Sequence, residues 1–144
     1  MRQVPSIRED YLYFEQLNTR WRDNDVYGHM NNAVFYEYAD TVVNGWLIKK
    51  GGLDVPKSET VGLVAETRCT FFSELKFPNI ITCGLKLNRL GNSSVEYEIG
   101  LFSDLERKTA AKIIFIHVFV DVKTRRPKKI PQKLLIPLKT LMKN

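Results

Sequence analysis

A chain of 144 residues with one long helix that is apolar on two sides has few ways to fold, because the same short chain must cover both sides. Residues 33–50, A-V-F-Y-E-Y-A-D-T-V-V-N-G-W-L-I-K-K, contain no proline. Apolar residues recur there at two helical spacings, Phe35, Ala39, Val42 and Trp46, and Tyr36, Val43 and Leu47. The pattern predicts a helix over 32–50 enclosed on most of its circumference. Asn31 or Asn32 is its natural N-cap, since a short carboxamide accepts a hydrogen bond from an orphan N–H of the first turn. The helix should end at K-K-G-G, where lysines complement the negative C-terminus and glycine takes the left-handed cap.

The rest of the chain must supply the cover. Residues 11–22 alternate, with Tyr13, Leu17 and Trp21 on one parity and Gln16, Asn18, Arg20 and Arg22 on the other, and predict a half-buried first strand. Four further strands are expected at 60–72, 80–90, 94–102 and 109–122, divided by F-P-N, L-G-N-S and S-D-L-E-R. Turns this short predict antiparallel neighbours. In 94–102, Val95, Tyr97, Ile99 and Leu101 alternate with Glu96, Glu98 and Gly100, which assigns one face to a core and the other largely to water. The last strand, A-A-K-I-I-F-I-H-V-F-V, is apolar on both faces and belongs in a central or interfacial position. One enclosed helix and five antiparallel strands predict an α+β domain whose sheet curls around the helix. A chain of this length buries about 68–70% of its unfolded surface as one unit, so 1–144 is expected to be a single domain. Past Val122 the chain is basic, acid-free and broken by proline. Residues 123–144 should form an extended arm, with a short helix after Pro137.

Immediately ahead of the helix, residues 20–32 read R-W-R-D-N-D-V-Y-G-H-M-N-N. A helix N-terminus carries about half a positive charge and unpaired N–H donors, so it suits a carbonyl oxygen that is becoming an oxyanion. Asp25 lies just upstream, and a turn through Gly28 would bring its carboxylate to the same point. One segment then supplies an attacking group and an oxyanion site. An aspartate in this position more often merely orients a turn or caps a helix, so composition alone marks a candidate and not a reaction.

Asp25-x-x-Gly28-His29-x-Asn31-Asn32 followed by an aromatic-rich helix resembles the hotdog-fold acyl-CoA thioesterases of the 4-hydroxybenzoyl-CoA thioesterase type. The resemblance continues through E-T-R-C-T-F-F, R-L-G-N-S-S-V and H-V-F-V-D, and spans about Phe14 to Pro131. It implies hydrolysis of an acyl-CoA without a metal or redox cofactor. It further implies that Asp25 either attacks the thioester carbonyl or activates water, and that the backbone N–H of Asn32 polarises the carbonyl. His29 would position the carboxylate or the substrate, with Tyr27, Gly28 and Asn31 lining the substrate site. In the similar plant acyl-carrier-protein thioesterases an asparagine stands where this chain has Tyr27. Asp23 is expected to be structural, and Glu37 is a reserve acid because another hotdog group uses a helix glutamate. Related thioesterases hold the coenzyme A phosphates with basic residues near strand ends, often from a neighbouring subunit. Arg89, Ser93 and Ser94, and Arg125, Arg126, Lys128 and Lys129, occupy such places here. Tyr36, Tyr38 and Trp46 would suit an aryl or a medium aliphatic acyl group equally.

The formal charge of +6 is compatible with nucleic acid, anionic lipid or a polyphosphate-bearing small molecule. The aromatic residues gather on the helix and inner strand faces and not among the lysines, so no nucleic-acid stacking platform is expected. The longest apolar run, near 113–120, is interrupted by His117 and too short to span a bilayer, and the start lacks a signal-peptide core. A cytoplasmic protein is expected. Cys69 and Cys83 lack metal or disulfide spacing and read as small buried hydrophobes. Glu66 and Arg68 share one face of a strand and read as members of a cross-strand ion pair, and His117 as a core or interface histidine. Exposed sheet edges predict a homodimer or homotetramer. The rival functions are a non-catalytic acyl-binding module on the same scaffold, an acyl-carrier-protein thioesterase, and a hotdog hydratase, whose aspartate and histidine are spaced differently.

Overall fold

Asn31 caps the long helix α1 (Asn32–Lys49), its side chain accepting a hydrogen bond from the Ala33 N–H at 2.9 Å. The computed structural model describes residues 2–54 and 57–143. Around α1 curl five strands, β1 (Tyr13–Asn18), β2 (Thr60–Phe71), β3 (Ile80–Leu90), β4 (Ser94–Ser103) and β5 (Ala111–Asp121). They form one antiparallel sheet in the order β1-β3-β4-β5-β2. A second helix, α2 (Gln132–Lys139), follows. Phe35, Ala39, Val42, Val43, Trp46 and Leu47 of α1 are buried against Ile81, Leu85, Tyr97, Ile99, Ile113 and Phe119 of the sheet. This is the hotdog architecture, and β5 lies inside the sheet between β4 and β2, as its two apolar faces require.

Four expectations are corrected. β1 stops at Asn18, and Trp21 lies in a 3-10 turn (Trp21–Asp23), 76% exposed and edge-on to Phe77. The buried Asp23 carboxylate accepts from the Arg20 N–H, which tightens the turn and swings Trp21 outward. Second, residues 72–79 do not join sheet neighbours, because β2 is zipped to β5 along its length while β3 pairs with β1 and β4. This crossover passes the N-terminal end of α1, where the Met30 N–H donates to the Leu75 carbonyl at 2.7 Å. Third, the polar face of β4 is covered: Tyr11 packs on Gly84 and Gly100, where any Cβ would come within 2.7 and 2.6 Å of its ring. Its hydroxyl donates to the buried Glu98 carboxylate at 2.8 Å.

The fourth correction concerns the C-terminal segment. α2 begins before Pro137 and contains it, because Ile130, Leu134, Leu138 and Leu141 are all buried and the packing outweighs the lost helix hydrogen bond. Burying one such side chain contributes about 1.5–3 kcal/mol. Leu134 approaches Gly51 so closely that a Cβ there would lie 2.9 Å from its methyl, and the Leu141 carbonyl accepts from the Leu87 N–H at 2.8 Å. The segment therefore seals the C-terminal end of α1.

Candidate active site

The loop before α1 is anchored by Asp23, whose side chain is 1% exposed. It accepts from the Tyr38 hydroxyl, from the Arg20 N–H at 2.9 Å and from Arg20 Nε at 3.1 Å. Burial pushes this carboxyl up, but the donors from Tyr38 and Arg20 outweigh it and hold it below the usual carboxylate range. The same Arg20 guanidinium reaches Glu37 at 3.0 Å, so both neighbouring acids are engaged in fixing the loop. Asp23 has the structural role expected of it.

Two residues on, the chain folds back on itself. The Asp25 N–H donates to the His29 carbonyl at 2.9 Å, the Gly28 N–H donates to the Asp25 carbonyl at 3.1 Å, and Asn24 bridges Met30. Gly28 sits at φ +81°, a conformation that side chains disfavour, so the turn requires it. The Tyr27 N–H holds one Asp25 carboxylate oxygen at 2.9 Å, while the Tyr27 ring itself is 81% exposed. Asp25 and His29 thus face each other across a narrow ribbon, a spacing at which side chains interact.

Beyond the ribbon, the capping arrangement leaves one donor unused. Ala33 N–H goes to the Asn31 side chain and Val34 N–H to the Asn31 carbonyl, whereas among the described residues the Asn32 N–H has no acceptor. Asp25, Tyr27, His29 and Asn32 line one solvent-open cavity of about 480 Å³, whose apolar wall is Met30, Phe35, Phe71, Phe72 and Leu75. The resulting chemistry is a carboxylate and an imidazole beside an unpaired N–H at the positive end of a helix.

Glu74 also lines this cavity, and its carboxylate lies 2.7 Å from His29 Nε2. Sequence reasoning missed it. Its only local signal is its place ahead of the apolar Leu75, which is buried and pins the crossover under Met30. The Glu74 contact at Nε2 restrains the imidazole ring.

The basic candidates lie elsewhere. Lys128 and Lys129 share a small cavity with Ser93 and Asn92, and with Lys57, Ser58 and Lys133 they line a larger one of about 430 Å³ beside Gly51 and Gly52. Arg125 and Arg126 belong to the turn closed on Asp121, and Lys128 lies 3.6 Å from the Asp121 carboxylate. Arg89 is exposed, in register with Glu96, and Ser94 packs beside Gly91. The 18 residues of α1, about 27 Å, separate this end from Asp25. Among the described residues, no group of three or more His, Cys, Asp or Glu is placed to hold a metal, and no helix is long and apolar enough to cross a membrane. Glu66 and Arg68 pair with each other at 3.1 Å along the exposed face of β2, not across strands as expected, because a two-residue spacing brings both side chains to the same face.

Comparisons with known proteins agree with this fold. The crystal structure of PA5185 from Pseudomonas aeruginosa strain PAO1 matches with a TM-score of 0.94 at 46% identity, covering 96% of this chain and 97% of that one. A thioesterase complexed with coenzyme A and Zn from Thermus thermophilus matches at 0.77 and 22% identity, over 92% of this chain and 96% of that one. Slr0204, a 1,4-dihydroxy-2-naphthoyl-CoA thioesterase from Synechocystis, matches at 0.79 and 12% identity, over 88% and 95%. At these two lower identities the likeness shows the fold alone. No curated protein matches the sequence. The sequence profile of the thioesterase-like superfamily, however, matches residues 19–138, which take in the Asp25 loop, α1 and β2 to β5. The chain belongs to the thioesterase-like superfamily and is a hotdog-fold thioester hydrolase.

Proposed function

We propose that the protein hydrolyses acyl-CoA thioesters to a free acid and coenzyme A, with Asp25 as nucleophile or general base. The observation that carries this reading is the convergence of Asp25, His29 and the unpaired Asn32 N–H on one open cavity. The thioester carbonyl oxygen accepts from the Asn32 N–H, where the helix dipole stabilises the charge that develops on it. In one route the Asp25 carboxylate attacks the carbonyl carbon, the C–S bond breaks, the thiolate leaves, and water then cleaves the mixed anhydride. In the other, Asp25 takes a proton from water, the hydroxide adds to the carbonyl, and the proton passes to the leaving thiolate. His29, steadied by Glu74, positions the attacking group in either route.

A coenzyme A thioester is favoured by two structural relatives solved with coenzyme A, one from Thermus thermophilus and one from Staphylococcus aureus. The lysine-lined cavity offers the matching charge, but it lies at the far end of α1 from the Asp25 of the same chain. β2 runs between the two ends and is an unpaired edge strand with Leu63 and Val64 exposed. Two copies joined antiparallel through β2 would bring the lysines of each to the Asp25 end of the other. The working unit in this reading is a homodimer, or a tetramer of such pairs.

The deciding experiment is Asp25→Asn, assayed by thiol release from acyl-CoA. The amide keeps the Oδ1 contact to Tyr27 but loses the reactive anion, so kcat should fall at least ~10²-fold with unchanged thermal stability. A well-folded variant with turnover within a few-fold of wild type removes Asp25 from the mechanism and promotes Glu37. Label from heavy-oxygen water entering the Asp25 carboxylate identifies an anhydride opened at Asp25, whereas label confined to the product acid excludes that opening and places the attack of water on the acyl carbon.

A further inference from the structure

The apolar wall of the Asp25 cavity is one ring deep. Phe35, one turn into α1, meets Phe71 at the end of β2 edge-to-face, with ring centroids 4.9 Å apart. Phe71 is 45% exposed and forms the lip, whereas Phe35 is 3% exposed and forms the floor. Behind Phe35, on the same helix face, Ala39, Val42 and Val43 have no exposed surface at all. Toward the loop, Met30 at 4% and Leu75 at 0% close the remaining side. Among the described residues, the space behind Phe35 along the helix is lined by side chains with no exposed surface.

A thioester whose carbonyl oxygen sits at the Asn32 N–H must send its acyl group toward this wall, since the polar side of the cavity is taken by Asp25, His29 and Glu74. From Asn32 to Phe35 the helix rises only about 4.5 Å. Resting on the proposed thioesterase reading, we infer that the Phe35–Phe71 pair is an acyl-chain stop that restricts the substrate to compact acyl groups, a short aliphatic chain or a single ring. A long chain would have to part the two rings and displace the fully buried side chains behind them, and close-packed cores resist such insertion. A planar ring, by contrast, gains an edge-to-face or offset contact with Phe71.

The test is a series of kcat/KM values for acetyl-, butyryl-, hexanoyl-, benzoyl-, decanoyl- and palmitoyl-CoA, each kept below the concentration at which it aggregates. The wild type should process decanoyl- and palmitoyl-CoA at least ~10-fold less efficiently than hexanoyl- or benzoyl-CoA. Phe71→Ala, at a half-exposed position that does not threaten the fold, should raise the decanoyl-to-hexanoyl ratio of kcat/KM by ~10-fold. Phe71→Trp should lower the same ratio. A wild type that prefers palmitoyl-CoA, or a ratio unmoved by either substitution, overturns the stop while leaving the thioesterase reading intact. Absence of thiol release from every member of the series overturns both.

Discussion

The two ends of α1 are built on opposite plans. At the N-terminal end the helix opens onto a polar cavity, with the loop tip at Val26 and Tyr27 more than four-fifths exposed and the reactive groups held by backbone turns. At the C-terminal end the same helix is sealed by Leu134, Leu138 and Leu141, and the cavity there is lined by four lysines and a single acid, Glu59. In the proposed reading, the first end is left open so that a substrate can use the helix dipole. The second is closed because exposed carbonyls and the apolar flank of Trp46 and Leu47 need cover. On the proposed function, stability and reactivity are divided between the ends, and substitutions should affect one without the other.

The largest effect expected from the sealed end is Leu138→Ala. Leu138 has no exposed surface, so its truncation should cost about 2–5 kcal/mol. Chemical denaturation should show the loss, while kcat of the still-folded protein stays near wild type. A large drop in kcat without a shift in midpoint would show that the two ends are coupled.

His117 sharpens the contrast with His29. It is 2% exposed, its Nδ1 has no partner among the described residues, and burial lowers its pKa to about 4. The unfolded chain titrates at about 6.5, so between these values it binds more protons than the folded protein does. The stability associated with neutral His117 is complete above about pH 6.5 and is lost as pH falls toward 4, by up to about 3 kcal/mol. His117→Leu should flatten the dependence of the urea midpoint on pH across that window. An unchanged slope would exclude His117 as its source.

The smallest effect is expected at the lysines. Replacing Lys128 and Lys129 by glutamine should raise KM for acyl-CoA by a few-fold, more so at low ionic strength, and leave kcat alone. Coexpression of this variant with Asp25→Asn sharpens the geometry. If each cavity borrows the partner's lysines, mixed dimers contain one intact site and recover a low-KM component that neither parent shows. Failure of the mixture to recover it would place the phosphate contacts within one chain or elsewhere.

Much of this molecule is written in short-range pattern. The 3.6-residue repeat of α1, the carboxamide cap ahead of it, the glycine that turns the Asp25 loop and the apolar runs of β4 and β5 all involve residues a few positions apart, and each element lies where periodicity and capping place it. Sequence alone thereby determined one helix, five strands and the segment that carries the candidate carboxylate. Tertiary structure decided the rest. That Glu74 meets His29, that Asp23 turns in to meet Tyr38, that Tyr11 lies over Gly100, and that α2 tolerates Pro137 all depend on partners remote in the chain. The physical reason is that local conformation follows from sterics and hydrogen bonds within a few residues, whereas strand order and crossovers are chosen by the burial of the whole core, which has no local periodicity to read.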